Sequence, residues 1–412
     1  MVTAEIKSAI EEAYLENNGE MSQQKLYQVL AKKLNIKPED YVRQVGKQQT
    51  LHNLFFRKVR YIQQSLKHEK LLTQVTRGVW KLTGTAKAKL HQIEPGKSIL
   101  ALSTDLGIVI ISDSRTVFNN RLIQTPIDLV LTSPPYLLDT PRYYGNGGTT
   151  DAKGWVAFVM SFMEPIIENL NKGASVVLNV GQDSFIKKLP ARHNHIERLI
   201  IAMEDAGMYR VDTMIWSSNK PPSPAAWCSN QRYMLHTGYE PILWFSKDPL
   251  SLKSNNQRVL QPHSEKHKKF VLSGGINQAR IDSDGAHVKR IGAYSKTDLS
   301  KGKIPTNHFY FANKCPFNEM VNQYAREVLN VPTHGAKWPV KLVDFLVRLF
   351  TEPGDLAVDP FGGTASLGFV CQLLKRKFVV IDNTLEYAMQ SVNRFIGITD
   401  DLWINPQLIK WR

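Results

Sequence analysis

The sequence predicts an α/β protein with a mostly parallel sheet, a small helical domain before it, and a loop-rich segment inserted into it. From about residue 99 onward, short β-branched and aliphatic runs alternate with helical periodicity. Residues 1–97 show helical spacing and then a hairpin pattern. Residues 247–306 are polar, basic and loop-like. Since the chain has 412 residues, we expect domains at 1–97 and 98–412, with 247–306 as an insert in the second.

The first domain is expected to be a winged helix. Apolar residues at helical spacing predict three helices. The first covers about 5–17, the second begins after Ser22, which caps it, and the third runs from about Leu51 to Lys67. The run LLTQVTRGVWKLT reads as two strands around a turn at Arg77-Gly78. In a winged helix the third helix can enter a major groove and the wing can contact phosphates. We therefore expect DNA contacts from Arg57, Lys58, Arg60 and Arg77. A helical docking or dimerisation domain is the alternative.

The positive charge of the chain lies in two segments. The net charge is +15 and the pI is about 9.5. Residues 1–97 hold 17 basic and 9 acidic residues, a net of +8, and residues 251–305 hold 11 and 4, a net of +7. A protein this basic usually binds a polyanion, with nucleic acid as the first expectation. The expected contacts from the insert are Lys266, Lys268, Lys269, Arg280, Lys289 and Arg290. Two solvated, lysine-rich surfaces are the alternative reading.

The body from residue 98 contains the strands and helices of the expected sheet. The predicted strands are Ile108–Ile111, Ile127–Leu131, Ser175–Val180, Ile242–Phe245, Leu356–Val358 and Phe378–Ile381. The predicted helices cover 154–171, 192–206 and 338–350.

One of these strands runs directly into the sequence Thr132-Ser133-Pro134-Pro135-Tyr136. Two prolines fix φ and supply carbonyls without N–H groups, so the loop is rigid. Such a loop presents a hydroxyl, carbonyl oxygens and an aromatic face together. It could stack a planar base on Tyr136 and accept hydrogen bonds from an exocyclic amine. The alternative for Ser-Pro-Pro-Tyr is a plain turn.

A second strand leads into Asp359-Pro-Phe361-Gly362-Gly363-Thr364, and a helix follows. The two glycines allow the backbone to approach a ligand closely. Asp382 ends the next strand, 19 residues after Gly363, a spacing suited to binding ribose hydroxyls. No GxxxxGK[ST] occurs in the sequence, which disfavours a P-loop phosphate site. This segment is therefore predicted to cradle a cofactor.

Together, TSPPY at 132–136 and DPFGGT at 359–364 resemble the motifs of amino-methylating DNA methyltransferases, in the β order with the catalytic motif first. The resemblance extends over roughly 108–396. The segments PPSPAAW at 221–227 and PYLLDTPRYYGN at 135–146 are similar to PvuII-type N4-cytosine-specific modification methyltransferases. The sequence departs from many relatives in having GGTAS in the glycine loop and SDS without a leading glycine at 112–114. Neither departure removes an acid or the loop.

The resemblance implies a class I S-adenosylmethionine-dependent methyltransferase fold, Rossmann-like and with permuted motif order. The strands at 127–131 and 356–358 would then be neighbours at the topological switch point. By the same resemblance, S-adenosylmethionine is the cofactor, and Ser133, Pro134, Pro135 and Tyr136 are the catalytic positions. The implied cofactor-binding residues are Asp113, His334, Ala336, Trp338, Pro339, Asp359, Phe361, Gly362, Gly363, Thr364 and Asp382.

The expected function is transfer of a methyl group to N4 of a flipped-out cytosine at a specific site in duplex DNA. The chain would be the modification enzyme of a restriction-modification system, with a cognate endonuclease as a partner, or an orphan relative. An N6-adenine enzyme is one alternative, although such enzymes usually have Asp or Asn at the position of Ser133. The other is a winged-helix regulator with an inactive methyltransferase domain. A C5-cytosine enzyme is excluded because Cys315-Pro316 is the reverse of the Pro-Cys it needs.

Other classes of protein are disfavoured. No apolar run reaches the roughly 18–20 residues of a membrane helix. The N-terminus MVTAEIKSAIEEAY is acidic, unlike a signal peptide, so a cytoplasmic location is expected. The three cysteines are far apart in the sequence, which predicts neither disulfides nor a CxxC site. The spacing of His236, His263 and His267 is irregular, so no metal is expected.

Overall fold

A computed structural model describes residues 6, 9–10, 13–14, 20–45, 50–68, 72–82, 90–138, 149, 151–220, 224, 226–276, 280–282, 287–289 and 294–409. Within these residues no helix is both long and apolar enough to cross a membrane. The predicted segment PYLLDTPRYYGN lies outside the described residues from 139 onward, as do 221–223 and 225 of PPSPAAW.

The N-terminal segment has its own core, and all three of the helices predicted for it are present. Ile6, Ala9, Ile10, Ala13 and Tyr14 are helical and buried. The remaining elements are β1 (Glu20–Ser22), α1 (Gln23–Lys33), β2 (Val42–Val45), β3 (Thr50–Asn53), α2 (Leu54–His68), β4 (Leu72–Thr76) and β5 (Val79–Leu82). The predicted wing is the β4–β5 hairpin, which β1 extends to a three-stranded sheet in the order β1-β5-β4.

The start of the third helix differs from the prediction. Residues 50–53 pair with β2 as a second small hairpin, with Leu51 opposite Gln44, so the helix does not begin at Leu51. The Asn53 side chain accepts a hydrogen bond from Phe56 N at 3.1 Å, and this bond caps the helix that starts at Leu54. Leu51 is 69% exposed, so its apolar character misled a prediction based on periodicity.

The body is a ten-stranded sheet with helices on both faces. Its strands are β6 (Ser98–Ser103), β7 (Gly107–Ser112), β8 (Ile127–Thr132), β9 (Leu170–Asn179), β10 (Tyr209–Ser217), β11 (Tyr239–Ser246), β14 (His308–Tyr310), β15 (Leu356–Asp359), β16 (Lys377–Asp382) and β17 (Trp403–Ile404). The order is β14-β10-β11-β9-β8-β15-β16-β7-β6-β17. The five central strands from β9 to β7 are parallel. All six predicted strands are present.

Helices cover both faces of this sheet through two hydrophobic clusters. One face packs α8 (Val340–Phe350), α9 (Ser366–Leu374) and α10 (Leu385–Phe395); the other packs α3 (Ser114–Asn119), α4 (Ala152–Glu168) and α5 (His195–Asp205). The helices α7 (Pro316–Tyr324) and α11 (Pro406–Ile409) complete the body. The predicted helix 154–171 was too long, because Asn169 ends α4 and β9 begins at Leu170.

Strands β8 and β15 are parallel neighbours, with Ala357 opposite Leu129 and Val358 opposite Val130. The predicted adjacency of the two motif-bearing strands is therefore confirmed. Because both strands point the same way, the loops that follow them open at the same edge of the sheet.

The insert between β11 and β14 contains α6 (Glu265–Leu272) and the hairpin β12 (Arg280–Asp282) with β13 (His287–Lys289). Its first part is docked against the body rather than free. Lys253 Nζ lies 2.6 Å from Asp128 Oδ1, and Arg258 Nη1 donates to the Thr351 carbonyl at 3.2 Å. Some of the positive charge in this segment therefore stabilises the fold.

Candidate active site

The two predicted motifs line one cavity of about 520 Å³ at the carboxyl edge of the sheet. The loop after β8 contributes Ser133 to Tyr136, the loop after β15 contributes Asp359 to Thr364, and β16 contributes Asp382. The cavity volume is in the range typical of small-molecule sites. Residues separated by more than 200 positions in sequence thus meet at the switch point of the sheet.

Hydrogen bonds fix the catalytic loop against its neighbours. Thr132 Oγ1 donates to Asp359 Oδ1 at 2.6 Å, which ties the catalytic loop to the cofactor loop. Trp155 Nε1 on α4 donates to the Pro135 carbonyl at 2.7 Å. Since Pro134 is also buried, the loop has little freedom to move, and the predicted rigidity has a structural basis in both the prolines and Trp155.

The Tyr136 hydroxyl takes part in a hydrogen-bond network that the sequence did not indicate. It lies 3.4 Å from Ser133 Oγ, 3.1 Å from Asn179 Oδ1 and 2.8 Å from Glu240 Oε2. Gly181 packs against the ring so closely that a Cβ there would lie 2.4 Å from Tyr136 Cδ2. Only the absence of a side chain at position 181 allows this placement of the ring.

The glycine loop is held by Asp382. Gly363 N donates to Asp382 Oδ2 at 2.8 Å, and Thr384 N donates to Asp382 Oδ1 at 2.9 Å. Gly363 adopts φ +51°, and a Cβ on Gly362 would lie 2.1 Å from Val380 Cγ1. Both glycines are therefore required by the turn itself, and the sequence GGTAS still forms a tight loop.

Burial destabilises the charged form of both Asp359 and Asp382, the acids beside the glycine loop. Burial, with a smaller contribution from the nearby Asp382 carboxylate, raises the pKa of Asp359 to about 7. Burial also raises the pKa of Asp382 to about 6. Perturbed carboxyl groups in a cavity are typical of functional sites.

The segment His334 to Pro339 lies beside this loop. The His334 ring packs edge-on against Tyr387 with centroids 4.4 Å apart, and a Cβ on Gly363 would lie 3.1 Å from its Nε2. Trp338 Nε1 donates to Asn179 Oδ1 at 2.9 Å. His334, Ala336 and Trp338 line the cavity, whereas Pro339, the residue directly before α8, does not.

Lys337 is a cavity residue that the sequence analysis missed. Its ammonium donates to Asn322 Oδ1 at 2.5 Å and to the His334 carbonyl. Burial, with a smaller contribution from the positive charge of Arg394, lowers the pKa of Lys337 to about 7. The sequence signal that could have identified Lys337 was its position within the HGAKWP segment at 334–339. A cation with so little opposing charge is suited to an anionic ligand group.

Asp113 lines the cavity and caps α3, with Arg115 N donating to its Oδ1 at 2.9 Å. The Arg115 guanidinium also pairs with Asp113 Oδ2 at 2.6 Å, and this pairing raises the pKa of Arg115. Arg115 lies 4.4 Å from the Phe162 ring centroid, and Phe162 lies 4.7 Å from Phe361. Arg115 and Phe162 were not predicted from the sequence. Phe158, Phe162 and Phe361 form an aromatic wall of the cavity, against which the Arg115 guanidinium packs.

These geometric features agree with a comparison of the sequence with known families. Residues 127–393, well over half of the chain, match the DNA methylase family. The chain belongs to this family. Its N-terminal residues 12–92 match the Mrr N-terminal domain. The predictions of a DNA methyltransferase and of its class I α/β fold are therefore confirmed.

Individual members of the family resemble the chain over most of its length. Type II methyltransferase M.PvuII of Proteus hauseri is 29% identical over 300 residues, which cover 72% of this chain and 85% of the relative. Type II methyltransferase M.HpaI of Haemophilus parainfluenzae is 24% identical over 298 residues, 68% and 74% of the two chains. The structure of PvuII DNA methyltransferase (cytosine-N4-specific) superposes with a TM-score of 0.53 at 23% identity, covering 75% of this chain and 92% of that one, and shares the fold.

Among the described residues of this DNA methylase, those predicted to bind DNA do not line the cavity. In the N-terminal segment Arg57, Arg60 and Arg77 are exposed and Lys58 is half-buried. In the insert Lys266 and Lys269 are exposed, while Lys268 pairs with Glu265 at 2.7 Å. Arg280 and Lys289 are opposite each other in the β12–β13 hairpin, and Arg290 lies outside the described residues.

No arrangement of His, Cys, Asp or Glu suited to a metal ion occurs among the described residues. His263 and His267 stack on each other with ring centroids 4.9 Å apart. His267 lies on α6 and His263 lies just before it, so their proximity reflects packing of the two rings at the start of that helix.

Proposed function

We propose that the chain transfers a methyl group from S-adenosylmethionine to the exocyclic N4 of cytosine at a specific site in double-stranded DNA. The observation that carries this proposal is the single cavity lined by both the Ser133 loop and the glycine loop, joined by the bond between Thr132 and Asp359. Ser133 supplies a hydroxyl where adenine-N6 enzymes usually have a carboxylate or carboxamide. The similarity to M.PvuII, whose structure bears the description cytosine-N4-specific, supports the same choice of base.

The residues of the cavity fit S-adenosylmethionine, which supplies an electrophilic methyl group when bound. Asp382 offers a carboxylate to ribose hydroxyls, and the wall of Phe158, Phe162 and Phe361 offers stacking to the adenine ring. Lys337 offers a cation to the methionine carboxylate, beside His334, Ala336 and Trp338. Asp113, which lines the same cavity, is expected to contact the adenine.

The catalytic loop then supplies positioning. A cytosine amine is a poor nucleophile because its lone pair is delocalised into the ring. Hydrogen bonds from the amine to Ser133 Oγ and to the Pro134 carbonyl favour a tetrahedral nitrogen with a free lone pair. The base leaves the duplex to reach the cavity, at a cost of a few kcal/mol. Stacking on the Tyr136 ring offsets part of that cost, with about 1–3 kcal/mol per base.

The basic segments are proposed to hold the DNA. The +8 charge of residues 1–97 and the exposed Arg57, Arg60 and Arg77 support phosphate contacts by the N-terminal segment, and the insert is proposed to read the site. Removal of residues 1–97 should flatten the salt dependence of DNA binding, because each lost phosphate contact removes about 0.9 from the log–log slope. The methylated site should stay the same. An unchanged slope would make the segment a protein-docking module.

As a modification enzyme, the chain would protect the site that a cognate restriction endonuclease cleaves. Nucleoside mass spectrometry of unmethylated DNA treated with the purified protein and S-adenosylmethionine tests the function. N4-methylcytosine is the expected product. N6-methyladenine alone would overturn the choice of base and favour the adenine alternative. Absence of any methylated nucleoside would favour the regulator with an inactive domain.

A further inference from the structure

Glu240 is a nearly buried carboxylate at the catalytic edge that neither sequence motif contains. It lies on β11, directly beside the loop that follows β8, and its side chain is 16% exposed. Its Oε2 accepts from the Tyr136 hydroxyl at 2.8 Å, and its Oε1 lies 3.2 Å from Lys220 Nζ. A largely buried acid that accepts a hydrogen bond from the Tyr136 hydroxyl of the catalytic loop needs an explanation.

The hydrogen-bond pattern gives the Tyr136 proton a direction. A phenol has one proton to donate, and two acceptors lie within reach, Asn179 Oδ1 at 3.1 Å and Glu240 Oε2 at 2.8 Å. Asn179 Oδ1 already accepts from Trp338 Nε1 at 2.9 Å. The bond to the carboxylate is shorter and charge-assisted. The Tyr136 proton therefore points toward Glu240, and its oxygen is left to accept from Ser133 Oγ at 3.4 Å.

The positive charge of Lys220 lies beside the Glu240 carboxylate. Its ammonium contacts the far oxygen of Glu240, and its side chain is 18% exposed, so the pair is screened from water. The pair leaves Oε2 available for the Tyr136 hydroxyl. Ser133, Tyr136, Glu240 and Lys220 thus form one continuous chain of polar groups that leads away from the reacting edge of the cavity.

We propose that Glu240 is the terminal acceptor for the proton that leaves the target amine, reached through Ser133 and Tyr136. This inference rests on the proposed methyl transfer to an exocyclic amine. Glu240 acts through Tyr136 and is therefore a positioning residue that also stores the proton.

The step balances in atoms and charge. The amine nitrogen forms a bond to the methyl carbon while the bond between that carbon and the sulfonium sulfur breaks, and the electron pair of that bond stays on sulfur. One amine proton moves to Ser133 Oγ, the Ser133 proton moves to Tyr136 Oη, and the Tyr136 proton moves to Glu240 Oε2. The sulfonium charge and the carboxylate charge are both lost, so no net charge accumulates in the cavity. Glu240 then releases the proton to solvent.

The test is the single-turnover rate of methyl transfer to unmethylated plasmid DNA that carries the mapped site. Glu240→Gln keeps an oxygen that can accept from Tyr136 but cannot take a proton. It should lower the transfer rate about 10²-fold, in the range of general acid–base contributions, with the Kd for S-adenosylmethionine and for DNA within about twofold. Glu240→Asp should recover at least about tenfold of that loss, because it restores a proton acceptor.

The matched control is Asp128→Asn. Asp128 is also a buried carboxylate paired with a lysine, Lys253 at 2.6 Å, but it lies at the opposite edge of the same sheet. This variant should leave the transfer rate unchanged. A merely structural role for Glu240 would make the two variants behave alike.

Three results would overturn the proposal. A wild-type transfer rate in Glu240→Gln would show that the proton leaves by another route. An unchanged rate with weakened DNA binding would make Glu240 a base-binding residue instead. If the wild-type protein methylates no DNA, both the proposed function and the proton path through Ser133 and Tyr136 to Glu240 are wrong. If the product is N6-methyladenine, the target base is different, but the comparison of the Glu240 variants still tests the proton path.

Discussion

Asp128 at one edge of the central sheet is held differently from Asp359 and Asp382 at the other. At the amino edge, Asp128 accepts from Lys253 Nζ at 2.6 Å and from Leu356 N at 2.9 Å, so a full positive charge faces it. At the carboxyl edge, Asp359 and Asp382 accept from backbone N–H groups and the Thr132 hydroxyl. The pKa values of both are raised by burial.

The difference shows which edge is built for stability and which for a ligand. Ion pairing at the amino edge neutralises Asp128 within the folded chain, and it also raises the pKa of Lys253. Acids that are held by dipoles alone keep a negative potential that a cationic or hydroxyl-bearing ligand can use. We therefore expect substitutions at the carboxyl edge to change activity more than stability, and substitutions at the amino edge to do the reverse.

The largest effect is expected at the carboxyl edge from Ser133→Ala. The Ser133 hydroxyl is partly exposed to the cavity and contributes little to the core. Loss of one well-placed catalytic hydrogen bond typically lowers the rate about 10²–10³-fold. The kcat for methyl transfer should fall by that factor, with an unchanged unfolding temperature and Kd for S-adenosylmethionine. Wild-type turnover in this variant would contradict the assignment of the loop.

At the amino edge, Asp128→Ala should lower the free energy of unfolding by about 2–3 kcal/mol. Removing one partner of a buried pair typically costs about 3–5 kcal/mol, and the cost is smaller here because Lys253 is 41% exposed. Urea denaturation measures this loss, while kcat at a temperature well below unfolding should match the wild type. A large drop in kcat without a loss of stability would erase the distinction between the two edges.

Asp382→Ala is expected to weaken the binding of S-adenosylmethionine about tenfold to a hundredfold. A hydrogen bond to a charged group contributes about 1.5–3 kcal/mol, and Asp382 also holds Gly363 N. Calorimetry gives the Kd. Asp382→Asn serves as a control, since its amide oxygen can still accept from Gly363 N and separates the loop geometry from the charge. Unchanged affinity in both variants would place the cofactor elsewhere.

The sequence predicted those strands and loops of the two edges that are determined by the local pattern of residues. Strands such as Ile127–Thr132 are buried along their whole length, so an unbroken apolar run identified them. Strand β10 escaped prediction because its first residues, from Tyr209 to Thr213, are exposed or only partly buried and include polar side chains. The TSPPY and DPFGGT loops were found because each follows such a strand directly.

The residues that were missed depend on long-range pairing. Glu240 reaches Tyr136 only because β11 runs antiparallel to β9, which brings its first residues to the catalytic edge. The pairing of Lys253 with Asp128 joins residues 125 positions apart. Sequence periodicity carries no information about such contacts. Lys253 was counted with the basic residues of 251–305, whose charge was expected to bind DNA.

The smallest effect concerns how stability depends on pH, and it tests the carboxyl edge through Asp359→Asn. The folded protein holds the Asp359 proton up to a pKa of about 7, whereas an Asp in the unfolded chain titrates near 4. Between those values only the unfolded state has released the proton, so the stability of the wild type falls as pH rises. The slope is at most about 1.4 kcal/mol for each pH unit, and it ends near pH 7.

The asparagine variant removes this slope without removing the hydrogen bonds, because its amide oxygen can still accept from Thr132 Oγ1 and from Phe361 N. Urea denaturation of both proteins at pH 5, 6, 7 and 8 should therefore show the variant gaining stability relative to the wild type up to about pH 7. In Asp382→Asn the gain should stop near pH 6, because the pKa of Asp382 is raised only to about 6. Parallel curves for Asp359→Asn and the wild type would mean that Asp359 is as well compensated as Asp128, and the contrast between the two edges would then rest on geometry alone.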